Sequence, residues 1–149
     1  MTELENLQRR ITILEDVEAI KKLKSRYWRC IDRKLWDELA DCFVEDVVFE
    51  ILQPAMKLQG RKEAIQFLAE RLGSTITAHQ GHNAEIEITS DTTAKGMWTL
   101  YDEMRNVQAN TTLRGYGFYE DEYAKEKDGW RIKSIKFIRS FMERSKWES

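Results

Sequence analysis

The amino-acid sequence predicts an α+β fold in which N-terminal helices pack on a strongly curved, mostly antiparallel sheet. Apolar residues near the start recur at spacings of three and four, the period of a helix with one buried stripe. The second half holds four long segments of strand character, at 75–89, 92–106, 111–125 and 130–141. Ser90-Asp91, Ala109-Asn110 and Asp128-Gly129 separate them, and these residue types favour tight turns. Strands in meander order pair antiparallel, and a sheet with one apolar face must curl over the helices to bury it. With 149 residues, the whole chain (1–149) is expected to fold as one domain around a core large enough to enclose a cavity.

Each element has its own signal. Leu4, Leu7, Ile11, Leu14, Val17, Ile20, Leu23 and Tyr27 mark the first helix. Outside that stripe its opening turns are very polar, so residues 1–15 are expected to form a helical extension that packs on another subunit. Leu35, Trp36, Leu39 and Cys42 predict a short second helix over 34–42, with Asp32 where an N-cap would stand. The period then changes: Val47-Val48-Phe49-Glu50-Ile51-Leu52 is a strand ended by Pro54, the only proline, and the helical pattern returns over 60–73 between two glycines. The tail from Phe141 to Trp147 is a second expected contact surface between subunits.

Charge narrows the function. The 24 basic and 26 acidic residues are well mixed and sum to −2, which gives no electrostatic footprint for nucleic acid or an anionic membrane. A small neutral or mildly charged ligand is the expected partner. No apolar run approaches a membrane span, and the opening Met-Thr-Glu-Leu-Glu lacks the pattern of a signal peptide, so a cytoplasmic protein is expected. Cys30 and Cys42 have no further cysteine to build a zinc-type pair and are read as buried thiols.

The only two histidines are His79 and His82. Histidine is the side chain best suited to proton transfer near neutral pH, so acid–base chemistry is expected from this segment. Three residues apart on a strand, the two rings point to opposite faces and cannot share one ion, and no metal or cofactor is expected. Alternation alone groups His82 with Ala84, Ile86 and Ile88, and His79 with Thr75, Thr77 and Gly81. A one-residue bulge at Gly81 would turn His79 onto the Ile86 face instead.

The same alternation exposes two charged residues on apolar faces. Asp102 shares a face with Trp98, Leu100 and Met104, and Arg139 shares one with Ile135, Phe137 and Phe141. A charge on an apolar wall is costly unless it is paired or used, so the two either form an ion pair or belong to a site. Trp98, His82 and Phe137 are the candidate substrate contacts. Tyr27 continues the buried stripe of the first helix, as a core aromatic or as a donor to a ligand. Asp32 either caps the next helix or accepts the Nδ1 proton of the working histidine.

Taken in order, Tyr27-x4-Asp32-x3-Trp36-Asp37-Glu38-Leu39, Phe43-Val44-Glu45-Asp46-Val47, Gly60-Arg61-Lys62-Glu63-Ala64-Ile65 and His79-x2-His82 resemble the SnoaL-like branch of the NTF2-like superfamily. Within it, Asp16-Val17-Glu18-Ala19-Ile20-Lys21-Lys22-Leu23-Lys24, Arg29-Cys30-Ile31-Asp32 and Ala78-His79-Gln80-Gly81-His82 are similar to the bile acid 7α-dehydratase type, a relative of scytalone dehydratases. The resemblance implies an NTF2-like cone, a homo-oligomer (dimer or trimer) and cofactor-independent dehydration of a steroid- or polyketide-like hydroxy ketone. It implies Tyr27, Asp32, His79, Asp102 and Arg139 as the catalytic set. The chain departs from the pattern in two places: no tyrosine stands in Val48-Phe49-Glu50-Ile51-Leu52, and Asp102 stands near where scytalone dehydratases use a second histidine.

On this reading His79 is the base, Asp32 orients it, and Tyr27 donates to a substrate oxygen. Asp102 protonates the leaving hydroxyl only if an apolar pocket keeps it neutral, which a close Arg139 would oppose. Either Arg139 therefore binds a substrate anion away from Asp102, or Asp102 is not the acid. An isomerase or cyclase using the same base, and a non-catalytic binding or assembly domain, are the alternatives. Contact between His79 and Asp32 beside an open cavity separates an enzyme from a filled core.

Overall fold

A computed structural model describes residues 1–147. The first helix, α1 (Glu3–Arg33), opens with a reciprocal cap: the Glu5 amide donates to Thr2 Oγ1 at 3.1 Å and the Thr2 amide to Glu5 Oε2 at 2.7 Å. Residues 1–15 are exposed, Leu4, Leu7, Ile11 and Leu14 of the apolar stripe included, and burial begins at Asp16. The buried stripe then runs through Ile20, Leu23, Tyr27 and Ile31, and it also takes in Lys24 and Trp28.

α1 runs one residue past the expected cap, to Arg33, and is capped by Lys34, whose backbone is left-handed (φ 59°), so Asp32 lies in the last turn of α1 and does not cap the second helix. That helix, α2 (Trp36–Ala40), is only five residues long and has no side-chain cap. Capping preference is a local signal, and here a left-handed residue further along set the helix end.

The strands are β1 (Phe43–Leu52), β2 (Ala55–Gln59), β3 (Ile76–Ile88), β4 (Thr93–Asn106), β5 (Thr111–Glu126) and β6 (Gly129–Lys146), with α3 (Arg61–Leu72) between β2 and β3. They form one sheet in the order β2-β1-β6-β5-β4-β3, antiparallel except for the β1–β6 pair. The sheet is curved and unclosed, and α1 lies against its concave face. Strand β2 has no counterpart in the sequence reading, and β6 continues past the expected stop at Phe141. Both stretches are too polar to read as strands alone, and each is held by the neighbour it pairs with.

Among several register shifts, two bulges reset the alternation near the cavity. In β3, His82 pairs with Thr99 but Glu85 pairs with Met97, so one extra residue is accommodated where Asn83 adopts φ 55°. Thr77, His79 and Gly81 therefore share the concave face with Ala84, Ile86 and Ile88. Gly81 does not form the bulge; it lets Trp28 approach, since a Cβ there would run into the Trp28 ring. In β6, Gly117 pairs with Arg139 but Tyr116 pairs with Phe141, which leaves Ser140 as the extra residue. Phe141 is thus turned to the convex face, 54 % exposed, and stacks on Tyr116 with ring centroids 4.7 Å apart. Its expected place beside Arg139 is corrected by that bulge. Among the described residues no helix is long and apolar enough to cross a membrane.

Candidate functional site

The concave face leaves a cavity of about 190 Å³ between β3–β6, the last turns of α1, the β1–β2 hairpin and α3. Tyr27, His79, Asp102, Phe137 and Arg139 all reach its wall, beside apolar side chains such as Leu68, Leu100 and Met104. Asp32 stands directly behind His79.

His79 and Asp102 occupy paired positions on β3 and β4, and Asp102 in turn pairs with Gly115 on β5. This places the candidate groups in a row across the sheet. The His79 ring contacts Asp32 through Nδ1 at 2.6 Å, and the His79 backbone amide donates to Asp32 Oδ2 at 2.9 Å. The Thr77 hydroxyl donates to Asp32 Oδ1 at 2.9 Å, and Lys34 Nζ donates to Thr77 Oγ1 at 3.0 Å. Burial alone would raise the Asp32 carboxyl; the bonds from the His79 ring and backbone and from Thr77 hold it below its ordinary value. An ionised carboxylate only accepts, so Nδ1 carries a proton, and in the neutral form of the ring Nε2 is the nitrogen with the lone pair.

Asp102 and Arg139 form a two-pronged pair, Nη1 to Oδ1 at 2.5 Å and Nη2 to Oδ2 at 3.0 Å. The Asp102 side chain is 3 % exposed and that of Arg139 13 %. Gly115 makes this pair fit, because a Cβ there would collide with the Arg139 guanidinium. Both Asp102 oxygens accept from Arg139, so neither is free to deliver a proton. Arg139 also lies over the Phe137 ring at 4.8 Å.

Tyr27 is 1 % exposed and packs edge-on against Tyr119, ring centroids 6.2 Å apart. Burial pushes the Tyr27 phenol well above its ordinary value, with Tyr119 adding to the shift. Burial and the Asp102 charge push the Tyr119 phenol up likewise. Both hydroxyls therefore stay protonated through the neutral range, as hydrogen-bond donors must.

Beyond these tyrosines lies a second polar cluster. Lys24 Nζ is 2.8 Å from Asp121 Oδ2, with both side chains fully buried, and it sits over the Tyr119 ring at 3.9 Å and the Tyr27 ring at 4.4 Å. Tyr123 Oη donates to Asp121 Oδ2 at 2.7 Å and accepts from Trp98 Nε1 at 3.0 Å. Burial drives Lys24 down and Asp121 up, and their mutual attraction opposes both shifts.

Two expected substrate contacts are corrected by this arrangement. Trp98 does not line the cavity: it is packed edge-on against Trp28, centroids 5.2 Å apart, and bonded to Tyr123. His82 is exposed on the convex face, because the β3 bulge follows it. Phe137 does line the wall. Thr77, Lys34 and Tyr119 were missed; Thr77 and Tyr119 were open to alternation, whereas Lys34 enters through its left-handed backbone. Among the described residues no three His, Cys, Asp or Glu side chains gather to hold a metal ion.

Residues 12–136 match the SnoaL-like domain family. A protein of Novosphingobium aromaticivorans provisionally named scytalone dehydratase is 24% identical, with 93% of this chain and 91% of that chain covered and a TM-score of 0.81. A type 2 hexachlorocyclohexane dehydrochlorinase (LinA) is 19% identical over 91% of this chain and 92% of its own, TM-score 0.83. The LinA-type3 dehydrochlorinase of Novosphingobium barchaimii is 17% identical over 91% and 93%, TM-score 0.81. At these identities the likeness to solved structures shows a shared fold.

Proposed function

We propose that this chain, which belongs to the SnoaL-like domain family, is a cofactor-independent lyase that removes water from a steroid- or polyketide-like hydroxy ketone. The single observation that carries the reading is His79: its Nδ1 is held by Asp32 at 2.6 Å while its ring lines a cavity. The names of two similar structures, a dehydratase and a dehydrochlorinase, both describe eliminations.

In this mechanism Nε2 takes a proton from the carbon next to the ketone. Tyr27, with Tyr119 beside it, donates to the ketone oxygen as negative charge builds there. The electron pair of the broken C–H bond becomes the new C=C bond as the C–O bond at the β-carbon breaks. The departing hydroxide takes the proton back from Nε2, so water leaves and His79 returns to its starting form. Asp102 is not the acid in this scheme, since Arg139 engages both its oxygens. The pair instead gives the wall a fixed shape and charge. The same base serves an isomerase if the proton returns to carbon.

Turnover of a panel of hydroxy-ketosteroids and polyketide-like alcohols tests the proposal. His79→Ala is expected to lower kcat/KM about 10² to 10⁴-fold, the usual worth of a positioned base. Asp102→Asn is expected to lower it less. A His79→Ala rate equal to wild type would remove His79 as the base, and no turnover of the panel by wild type would leave a ligand-binding domain as the reading. A homo-oligomer, dimer or trimer, and a cytoplasmic setting belong to the same proposal. The exposed band of Tyr116, Phe118 and Phe141 on the convex face supports self-association, which sedimentation velocity checks.

A further inference from the structure

From the charges at the cavity mouth, we infer that the ligand is an apolar molecule bearing an oxyanion, which Arg71 and Arg144 hold while the apolar part enters the cavity. The inference takes the cavity as the substrate site, as the proposed function does, and adds the chemical class of what enters it.

Arg71 and Arg144 both line the cavity and also line the shallower groove outside it, between the end of α3 and the start of β5. They therefore stand where cavity and groove join. Among the described residues no carboxylate lines that groove, and the one carboxylate on the cavity wall, Asp102, is already engaged by Arg139. Of the three arginines that line the cavity, Arg139 holds a carboxylate, whereas among the described residues Arg71 and Arg144 pair with none. Two uncompensated guanidiniums thus flank the mouth in a chain whose formal charge is −2.

A plainer account covers only half of this. Arg71 lies in the last turn of α3, where a cation is favoured by the helix dipole. That argument does not reach Arg144. The Ser140 bulge in β6 decides its orientation: Met142 pairs with Gly115 and Arg144 with Leu113, on the concave side. Without the extra residue, Glu143 would face the mouth. With it, Glu143 pairs in register with Arg114 on the convex side. The bulge therefore replaces an acid with a guanidinium at the entrance. Guanidinium groups bind carboxylate and phosphate oxygens in a fork geometry, and the apolar lining behind them suits the rest of such a molecule.

Isothermal titration calorimetry below micelle concentrations, with decanol, decanoate and decyl phosphate as probes, tests this. The three share one alkyl chain and differ only in the head group. At least one of the two anions is expected to bind wild type about tenfold or more tightly than decanol, a difference near 1.4 kcal/mol. The tighter of the two anions identifies the oxyanion. In an Arg71→Gln/Arg144→Gln variant the preference should fall to within about twofold with decanol binding unchanged, while Lys21→Gln/Lys22→Gln, on the exposed face of α1, should retain it. Equal affinity for all three probes, binding of none of them, or a preference that survives the double arginine variant overturns the inference. His79 is unchanged in every arm of the calorimetry, which bears on the ligand, whereas turnover of His79→Ala bears on the reaction.

Discussion

The two ends of the concave face make opposite use of the same strands. At the closed end, Lys24, Asp121, Tyr123 and Trp98 are buried and pair with one another, with Asp121 Oδ1 left without a hydrogen-bond partner. At the open end, His79 and the Asp102–Arg139 pair face a cavity. Strand β4 supplies Trp98 to one end and Asp102 to the other, four residues along the same face. Strand β5 supplies Asp121 and Tyr123 to the closed end, Tyr119 between the two, and Gly115 and Gly117 to the open one. Along β4 and β5 alternation runs unbroken from one end to the other; side-chain volume differs. Large rings fill one end, and glycines leave room at the other for charged groups that stay accessible.

The comparison predicts that equivalent losses cost more stability at the closed end. Lys24→Met leaves Asp121 buried without its cation, and should cost about 3–5 kcal/mol in urea unfolding. A Lys24→Met/Asp121→Leu double variant should recover most of that, since neither charge is then buried alone. Arg139→Met makes the matching cut at the open end, where solvent entering the cavity can reach Asp102. It is expected to cost about 1–3 kcal/mol, the usual price of an unsatisfied buried group. Equal losses at both ends would break the distinction.

The smallest effect concerns pH. The folded Asp32 carboxyl lies below its ordinary value of 3.8, so its contribution to stability is complete above that value and is lost as pH falls through the lower folded one. Thermal midpoints of wild type and Asp32→Asn, measured from about pH 6 down to pH 2, should differ most at the upper end and converge below the ordinary value. A gap that stays constant would mean that shape, not charge, accounts for the contribution of Asp32.

Much of this was legible from the residues. The spacing in α1, the four long strands and the turns between them gave the architecture, and alternation alone turned Asp102 and Arg139 inward. The histidine choice was different in kind. Plain alternation favoured His82, and His79 faces the cavity only because β3 gains a residue where Asn83 adopts a left-handed backbone. Gly81 looked like the bulge because glycine permits one, but its use is the close approach of Trp28. Lys24 was hidden inside an apolar stripe, since its partner Asp121 lies far along the chain and no local pattern links them.

The sequence by itself determined the periodicities, and with them the order of helices and strands and the faces that would be apolar. These are local properties, set by which side chains recur at the period of a helix or a strand. The tertiary structure decided which charges meet and which ring faces the cavity. One extra residue in β3 and one in β6 each reverse every side chain beyond it, bringing His79 onto the cavity wall and Arg144 to its mouth. Pairing with the neighbouring strand fixes where such a residue is accommodated, and that choice is made only when the sheet assembles.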